Sequence, residues 1–319
     1  MLSRRYLRIK VLQSIYAFFQ SNNDRIDVGE RQLLTNLNKI FELYIHQISL
    51  LLAIVNFAKQ RQEESKKKYF PTENDINPNR KFVDNRFIAQ IAANREFLKK
   101  EDALRISWKN EEELIRRIYG IIRQSNDFVE YMNSSDESYK ADKEIIVKIF
   151  MNYIADSESL QYYFEEKNIN WVVDYPTSIM MLIKTINSFK ESDDEFKALP
   201  KLFKSEESKD NEDVDFIIRL FRKSILNREK FSKMISEKVK NWEIERLAIM
   251  DIIILVMAMT EMIEFPSIPI KVTFNEYIDI SKNYSTPKSK VFINGMLDKL
   301  YVELKEKNKI KKTGRGLIE

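Results

Sequence analysis

Apolar residues recur at intervals of three and four positions along most of the chain, the spacing that lines one face of an α-helix. In the first segment, Val11, Ile15 and Phe18 fall on one side. Ser3 precedes this segment at the position of an N-terminal cap. The predicted helices span about residues 4–20, 29–62, 85–98, 111–131, 141–166, 171–189, 214–239, 242–263, 273–283 and 287–309.

Composition favours an all-α fold. Five glycines and seven prolines in 319 residues are few for a protein built on many tight turns. Hydrophobic residues make up 44% of the chain, which is ample for one large domain or two smaller ones. The acidic, irregular stretch 191–213 is the best candidate for a linker.

No segment has the character of a signal peptide or a membrane span. The N-terminus is basic and then apolar, but it lacks a small-residue cleavage site and keeps helical periodicity. The apolar stretch 249–263 is interrupted by Asp251, Thr260 and Glu261 and is short for a bilayer. The absence of cysteine excludes disulfides and agrees with a reducing compartment. We therefore expect a cytoplasmic protein without membrane contact.

Residues for catalysis and cofactor binding are missing from the sequence. The glycine spacings fit neither a dinucleotide-binding nor a phosphate-binding loop, and no cysteine can act as a nucleophile. The single histidine, His46, lies in an apolar helix, where a packing role is far more common than catalysis. We expect a protein that is not an enzyme and that holds neither a cofactor nor a metal ion.

The first candidate binding residues are the three arginines of SRRYLRIK. Arg4, Arg5 and Arg8 share roughly one side of a helix, at the end where the helix dipole is already positive. Cations there disfavour the helix, so the cluster makes sense as a site for a polyanion. Two other interpretations stay open: an accidental basic terminus, or arginines that pair with acidic residues of the same chain. The basic tail 305–319 suits an anionic partner or a solvated end.

The second candidate is the segment STPKSKVFINGMLDKL. Thr286 is predicted to cap a helix with Pro287 at its first position, where free N–H groups attract anions. Gly295, in mid-helix, predicts the close approach of another helix. Three further donors follow the predicted cap: Lys288, Ser289 and Lys290. The ring of Phe292 comes next, and it either stacks on a base or packs in the core.

These motifs together resemble the NusB family. The opening RRYLRIKVLQSIY resembles the family's first helix, with Gln13 and Tyr16 after the arginines. ERLAIMDIIILVMAMTEM resembles the helix that carries an acidic residue and a later glutamate, here Asp251 and Glu261. IPIKVTFNEYIDISKNYS resembles the segment with a proline before Asn-Glu, and KSKVFINGMLDKL matches the FVNGVLD signature.

The resemblance covers about residues 3–20 and 210–303 and implies a fold. Family members consist of two small helical bundles. The expected fold class is therefore all-α, with two packed helical bundles of NusB type and additional inserted helices. The expected regions are 1–22 as the first core helix with its basic RNA-binding end, 23–209 as a helical insertion and linker, 210–304 as the C-terminal core, and 305–319 as a basic tail.

The resemblance also implies a function. Family members bind the boxA element of ribosomal RNA leaders together with a small-subunit ribosomal protein that doubles as factor NusE. The pair joins the RNA polymerase antitermination complex. We therefore expect a transcription antitermination factor that binds single-stranded, boxA-like RNA and a NusE-like protein. RNA methyltransferases also carry NusB-like domains, but they need a cysteine that this chain lacks. The alternative is a helical protein-interaction scaffold without direct RNA binding.

The family's contacts carry over to two sets of residues. Ile252 and Val256 stand where the family often has arginine, and Lys288 or the basic tail is expected to restore part of that charge. Both basic helix starts are expected on a common face. The expected partner-binding residues are Tyr16 and Asp251. The expected RNA-binding residues are Arg4, Arg5, Arg8, Tyr284, Lys288, Ser289, Lys290 and Phe292.

Overall fold

The computed structural model describes residues 2–21, 24–203, 212–239 and 247–318, and it confirms the all-α fold class. Within these ranges the regular elements are helical and none is a β-strand. The α-helices are α1 (Arg4–Gln20), α2 (Ile26–Lys66), α3 (Glu73–Ile76), α4 (Arg86–Ala92), α5 (Arg95–Ala103), α6 (Glu112–Gln124), α7 (Asn126–Asn133), α8 (Tyr139–Ile149), α9 (Glu158–Lys167), α10 (Trp171–Ser188), α11 (Glu212–Leu226), α12 (Arg228–Lys238), α13 (Ile249–Glu264), α14 (Ile270–Tyr284) and α15 (Ser289–Glu306).

Side-chain caps divide helices that the apolar pattern predicted as continuous. The predicted helix 111–131 ends and restarts at Ser125, whose backbone is extended and whose hydroxyl accepts from the Phe128 N–H. Asn94 interrupts the predicted helix 85–98 by capping α5 in the same manner. Such local hydrogen bonds compete with the helix and leave apolar periodicity unchanged. Two further predicted helices are divided without a side-chain cap, one into α8 and α9 and the other into α11 and α12.

The chain forms two compact units, Met1–Asn36 with Leu202–Glu319, and Leu37–Lys201. In the first unit, α13 packs against α1, α11, α12, α14 and α15. All residues of α13 from 253 to 259 are buried. A helix that is apolar on every side belongs in a core, and α13 is the helix around which the others of this unit are arranged.

A glycine permits close packing near the start of α2. A Cβ on Gly29 would lie 2.7 Å from a ring atom of Phe221 and 2.9 Å from one of Phe18. At Gly295, by contrast, a Cβ would meet open space. The close helix approach predicted at Gly295 is therefore wrong, and the position belongs to an exposed part of α15.

The second unit contains an aromatic cluster that includes the single histidine. The ring of His46 lies 4.8 Å from that of Trp171 and 6.5 Å from that of Phe164. Its Nδ1 donates to the carbonyl oxygen of Glu42 at 2.8 Å. Burial lowers the pKa of His46 below its usual value of 6.5. The residue is a core side chain with one satisfied hydrogen bond.

The first part of the predicted linker is tied to the second unit. The N–H of Arg95 donates to the carbonyl of Glu195 at 2.8 Å, and the side chain of Asn94 donates to the carbonyl of Lys197 at 2.7 Å. Residues 204–211 of this stretch, and the first residues of the predicted helix 242–263, lie outside the described residues.

One helix among the described residues, α2, is long and apolar enough to cross a membrane by length and composition alone. Within its most apolar window, 61% is buried inside the protein. That degree of burial is typical of a core helix.

Candidate functional site

Arg8 is enclosed between α1 and α13. Its side chain is 3% exposed, and its Nε and Nη2 donate to the two carboxylate oxygens of Glu261 at 2.7 and 2.8 Å. Burial alone would lower the pKa of Arg8, but the adjacent Glu261 carboxylate outweighs it, and the net pKa is raised. Thr273 and Tyr277 of α14 donate their hydroxyls to the same carboxylate. The group holds α1, α13 and α14 together.

Arg4 and Arg5 also have acidic partners. Arg5 donates to Glu276 at 2.9 and 3.0 Å and to Asp279 at 3.0 Å, and its side chain is 48% exposed. Arg4 lies 3.0 Å from Asp213, and its guanidinium stacks over the ring of Phe216. Of the interpretations that the sequence left open, pairing with acidic residues of the same chain describes the arginine cluster in this structure.

The start of α15 is fixed from inside by Asp251. Ser285 and Ser289 both donate their hydroxyls to this carboxylate, at 2.6 and 2.9 Å. The helix begins at Ser289, and Thr286 bonds to the Ser289 hydroxyl at 2.8 Å without capping a helix N–H. The predicted Thr286 cap is therefore wrong. Asp251 and Ser289 are only 6% and 1% exposed, so these buried side chains hold the loop 285–288 against the core.

Two exposed lysines adjoin Ser289 of this buried network in the chain. Lys288 and Lys290 are exposed, and neither has a carboxylate within ion-pairing distance in the part of the chain that the structure describes. Phe292 and Tyr284 are half-buried beside them. Phe292 also lines a groove of about 900 Å³ with Lys299 and other residues of α15. This surface therefore combines unpaired positive charge with aromatic rings.

The two basic helix starts are anchored at opposite ends of α13. Glu261 holds Arg8 and Asp251 holds Ser289, and these carboxylates are ten residues apart (261 − 251), about 15 Å along the axis. Helix α14 joins the two places. Arg5 contacts Asp279 in α14, and the Ser285 loop follows directly after that helix ends. Both starts therefore adjoin the same helix, but the arginines of the first are paired with carboxylates, so the expected common face of free positive charge is reduced to the start of α15.

The predicted contact residues divide by accessibility. Lys288, Lys290 and Tyr16 are exposed, Tyr16 to 38%. Arg4, Arg5, Tyr284 and Phe292 are part-exposed. Three side chains are enclosed, so RNA or a partner cannot reach them in this structure: Arg8, Ser289 and Asp251.

Ile15, the neighbour of Tyr16 in α1, lines a largely apolar groove of the first unit, to which Arg228 and Glu229 add charge. The groove has a volume of about 810 Å³ and is lined by residues of α1, α11, α12 and α13, among them Phe19 and Leu226. Ile252 and Val256, which stand where the related family often has arginine, line it as well. At these two positions the groove is therefore lined by apolar side chains, where the related family often has positive charge.

The C-terminal tail adds a further cation to the surface around α1. The N–H of Thr313 donates to the Pro266 carbonyl at 3.1 Å, and Nζ of Lys312 donates to the Phe265 carbonyl at 3.0 Å. These bonds bring exposed Arg315 into a pocket of about 920 Å³ that Arg4 and Arg5 also line. The Gly-Arg-Gly sequence is the only signal that could have indicated this packing.

Comparison with known proteins finds similarity over the C-terminal half. Residues 177–302 match the NusB family. The chain is 38% identical over 138 residues to the transcription antitermination protein NusB of Salinibacter ruber, covering 43% of this chain and 86% of that protein. It is 41% identical over 105 residues to that of Chloroherpeton thalassium, covering 33% and 50%, and 35% identical over 118 residues to that of Clostridium botulinum, covering 37% and 80%. No solved structure matches.

The family match divides the candidate residues. Asp251 and the loop residues from Tyr284 to Phe292 lie inside 177–302, whereas Tyr16 and the arginines of α1 lie outside it. The surface around α15 is therefore the part of the site that this similarity covers.

Proposed function

Because the chain belongs to the NusB family of transcription antitermination proteins, we propose that it is a non-catalytic antitermination factor that binds single-stranded, boxA-like RNA. The family is not enzymatic, so the prediction that the chain is not an enzyme is confirmed. We further propose that it acts in the cytoplasm with a NusE-like small-subunit ribosomal protein, as part of the RNA polymerase antitermination complex.

The observation that carries the RNA proposal is the unpaired charge at the start of α15. Lys288 and Lys290 flank the first turn of a helix, where free N–H groups and the dipole already favour an anion. No carboxylate among the described residues competes with a phosphate for either ammonium group. The Asp251–Ser289 hydrogen bond fixes the turn that presents them.

Aromatic stacking would add affinity for unpaired bases. Tyr284 and Phe292 lie on either side of the two lysines in the sequence, and both rings are partly accessible. Stacking of a base on an aromatic side chain is worth about 1–3 kcal/mol and tolerates sequence variation. This surface suits single-stranded RNA better than a duplex, whose bases are already stacked.

The arginine cluster contributes in a graded way. Arg5 is half-exposed, so a phosphate can replace Glu276 or Asp279 as its partner at modest cost. Arg4 pairs with the enclosed Asp213, so exchanging that partner costs more. Arg8 is enclosed by Glu261 and sets the position of α1. Arg315 of the tail would supply a further cation beside Arg4 and Arg5.

The protein partner is proposed to bind around Tyr16. Phe19, one turn further along α1, lines the adjacent apolar groove, and an exposed tyrosine beside an apolar groove is typical of protein interfaces. Asp251 would act indirectly, through the loop that it holds. The predicted insertion 23–209 stays a proposal for its central part, because residues up to Asn36 belong to the first unit and the family match begins at residue 177. The tail 305–319 is retained as predicted.

Binding of labelled RNA by the full chain tests the proposal. Affinity for a boxA-like RNA and a scrambled control is measured by fluorescence anisotropy, with and without the NusE-like protein, over a range of salt concentrations. Lys288→Gln/Lys290→Gln should weaken binding and make the slope of log K against log salt shallower by about 1.4. Lys99→Gln/Lys184→Gln, at exposed positions of the second unit, is the matched control. Recovery of the ribosomal partner without any RNA binding would instead favour the scaffold function.

A further inference from the structure

Two aromatic side chains of the second unit are almost fully exposed. Tyr69 and Phe70 follow the C-terminal end of α2 and are 91% and 84% exposed. Their rings are perpendicular, with centroids 4.6 Å apart, so each leaves a face open to solvent. Three lysines, residues 66–68, precede them. Burial within this chain does not explain two such rings, and exposed apolar groups beside cations mark an interaction surface.

A polar pocket adjoins this aromatic pair. It has a volume of about 420 Å³, and its lining includes Lys68, which is next to Tyr69 in the chain. Four amide side chains line it together with the carboxylate of Asp75, which pairs with Lys68, and with apolar side chains such as Phe128. The amides that line it belong to Gln62, Asn74, Asn79 and Asn133. Such a lining provides both donors and acceptors for a planar polar ligand.

Two arginines at the pocket have no acidic partner. Arg61 and Arg123 both line it, and neither lies within ion-pairing distance of a carboxylate in the ranges 2–21, 24–203, 212–239 and 247–318. Neighbouring cations differ in this respect, since Lys68 pairs with Asp75 at 2.8 Å and Arg80 with Asp84 at 2.8 Å. The free guanidinium groups are available to an anion.

One acceptor of the pocket lining lacks a donor. The Gln62 side chain donates through Nε2 to the Asn79 carbonyl at 3.0 Å, which fixes the amide orientation. Its Oε1 is buried and has no hydrogen-bond partner among the described residues. A buried acceptor without a donor is unfavourable, so the Gln62 side chain would gain a hydrogen bond by turning Oε1 towards a ligand N–H group in the pocket.

We propose that this surface, formed by Arg61, Gln62, Lys68, Tyr69, Phe70 and Arg123, is a second contact site for single-stranded RNA. A phosphate binds Arg61 and Arg123, a base with an exocyclic amino group enters the pocket near Gln62, and a neighbouring base stacks on Tyr69 or Phe70. The inference rests on the proposed function, because it takes RNA as the ligand. A pocket lined by amides favours RNA over a lipid surface, which needs no such groups.

The test measures binding of a fluorescein-labelled, unstructured A/C-rich RNA to the full chain. Tyr69→Ala/Phe70→Ala should weaken binding about tenfold through lost stacking. The matched control is Tyr162→Ala/Phe196→Ala, which removes two other exposed rings of the same unit, 62% and 71% exposed, and should leave affinity unchanged. Arg61→Gln/Arg123→Gln should make the salt slope shallower by about 1.4. Photocrosslinking with 4-thiouridine RNA should label a peptide that contains Tyr69.

The outcomes separate this inference from the proposed function. If Lys288→Gln/Lys290→Gln weakens RNA binding while Tyr69→Ala/Phe70→Ala does not, the second site is overturned and the proposed function stands. If the wild-type chain binds no RNA, the proposed function fails and the inference with it. Loss of binding to phosphatidylserine vesicles in Tyr69→Ala/Phe70→Ala, with RNA affinity unchanged, would overturn the inference in favour of a membrane surface.

Discussion

Arg8 and Glu261 form a buried, bidentate ion pair that joins the first helix to the end of the central helix of the first unit. The two hydrogen bonds measure 2.7 and 2.8 Å, and both side chains are almost completely enclosed. Thr273 and Tyr277 complete the carboxylate's hydrogen bonds. A charge enclosed in this way is stable only while its partner remains.

Removal of one partner should therefore lower the free energy of unfolding by much more than the intact pair contributes to it. We expect Arg8→Met to lower the free energy of unfolding by about 3–5 kcal/mol, because it leaves the Glu261 carboxylate buried and uncompensated. Urea denaturation followed by circular dichroism measures the change. Arg8→Met/Glu261→Met should recover part of the loss, since no buried charge then remains.

Arg5→Met is the control for this experiment. Arg5 is half-exposed, and pairs of that kind contribute about 0–1 kcal/mol. If Arg8→Met is no more destabilising than Arg5→Met, the enclosed pair does not hold α1 in place. Arg8→Glu is a poor probe of RNA contact, because it sets a second carboxylate against Glu261.

The hydrogen bonds to Asp251 should control RNA affinity at a distance. Asp251→Ala leaves two hydroxyls without their acceptor and releases the first turn of α15, so affinity for single-stranded RNA should fall several-fold. Asp251→Asn keeps one carbonyl acceptor and should retain more affinity than Asp251→Ala. Anisotropy titrations of both variants, with circular dichroism to verify the fold, give the comparison. Equal affinity in Asp251→Ala and the wild type would contradict a positioning role.

How much of the structure can be predicted from the sequence depends on how far apart along the chain the interacting residues are. The Ser3 cap and the apolar character of α13 are local properties, and the structure confirms both. The acidic partners of the arginines could not be predicted, because Arg8 and Glu261 are 253 positions apart and any of many carboxylates could have met it. Similarly, the motif that contains Ser289 predicts a helix start, but not that Asp251 holds its hydroxyl from the core.

Gly316 should be essential for docking of the C-terminal tail. A Cβ at this position would lie 1.9 Å from the carbonyl oxygen of Pro266, which is backbone and cannot move aside easily. Gly316→Ala should therefore detach the tail and increase proteolysis near Arg315, whereas Leu317→Ala, at a 67% exposed position, should not. The cleavage rate under limiting trypsin measures the effect. An unchanged rate in Gly316→Ala would show that the tail is not held by this contact.

His46 should make the stability of the second unit dependent on pH near neutrality. Burial lowers its pKa in the folded state below 6.5, so the unfolded chain binds more protons between the two pKa values. The stabilisation from neutral His46 is present above pH 6.5 and is lost as the pH falls through that value towards the folded pKa.

The free energy of unfolding of the wild type should therefore decrease more between pH 7 and pH 5 than that of His46→Gln, which retains the same carboxylates. Since the sequence contains one histidine, its imidazole resonance can be titrated directly by NMR. A midpoint at or above 6.5, or an identical pH dependence in His46→Gln, would contradict the prediction. Burial of the ring beside Trp171 is the physical reason to expect the lower value, and it outweighs the hydrogen bond to the Glu42 carbonyl, which by itself would raise the pKa.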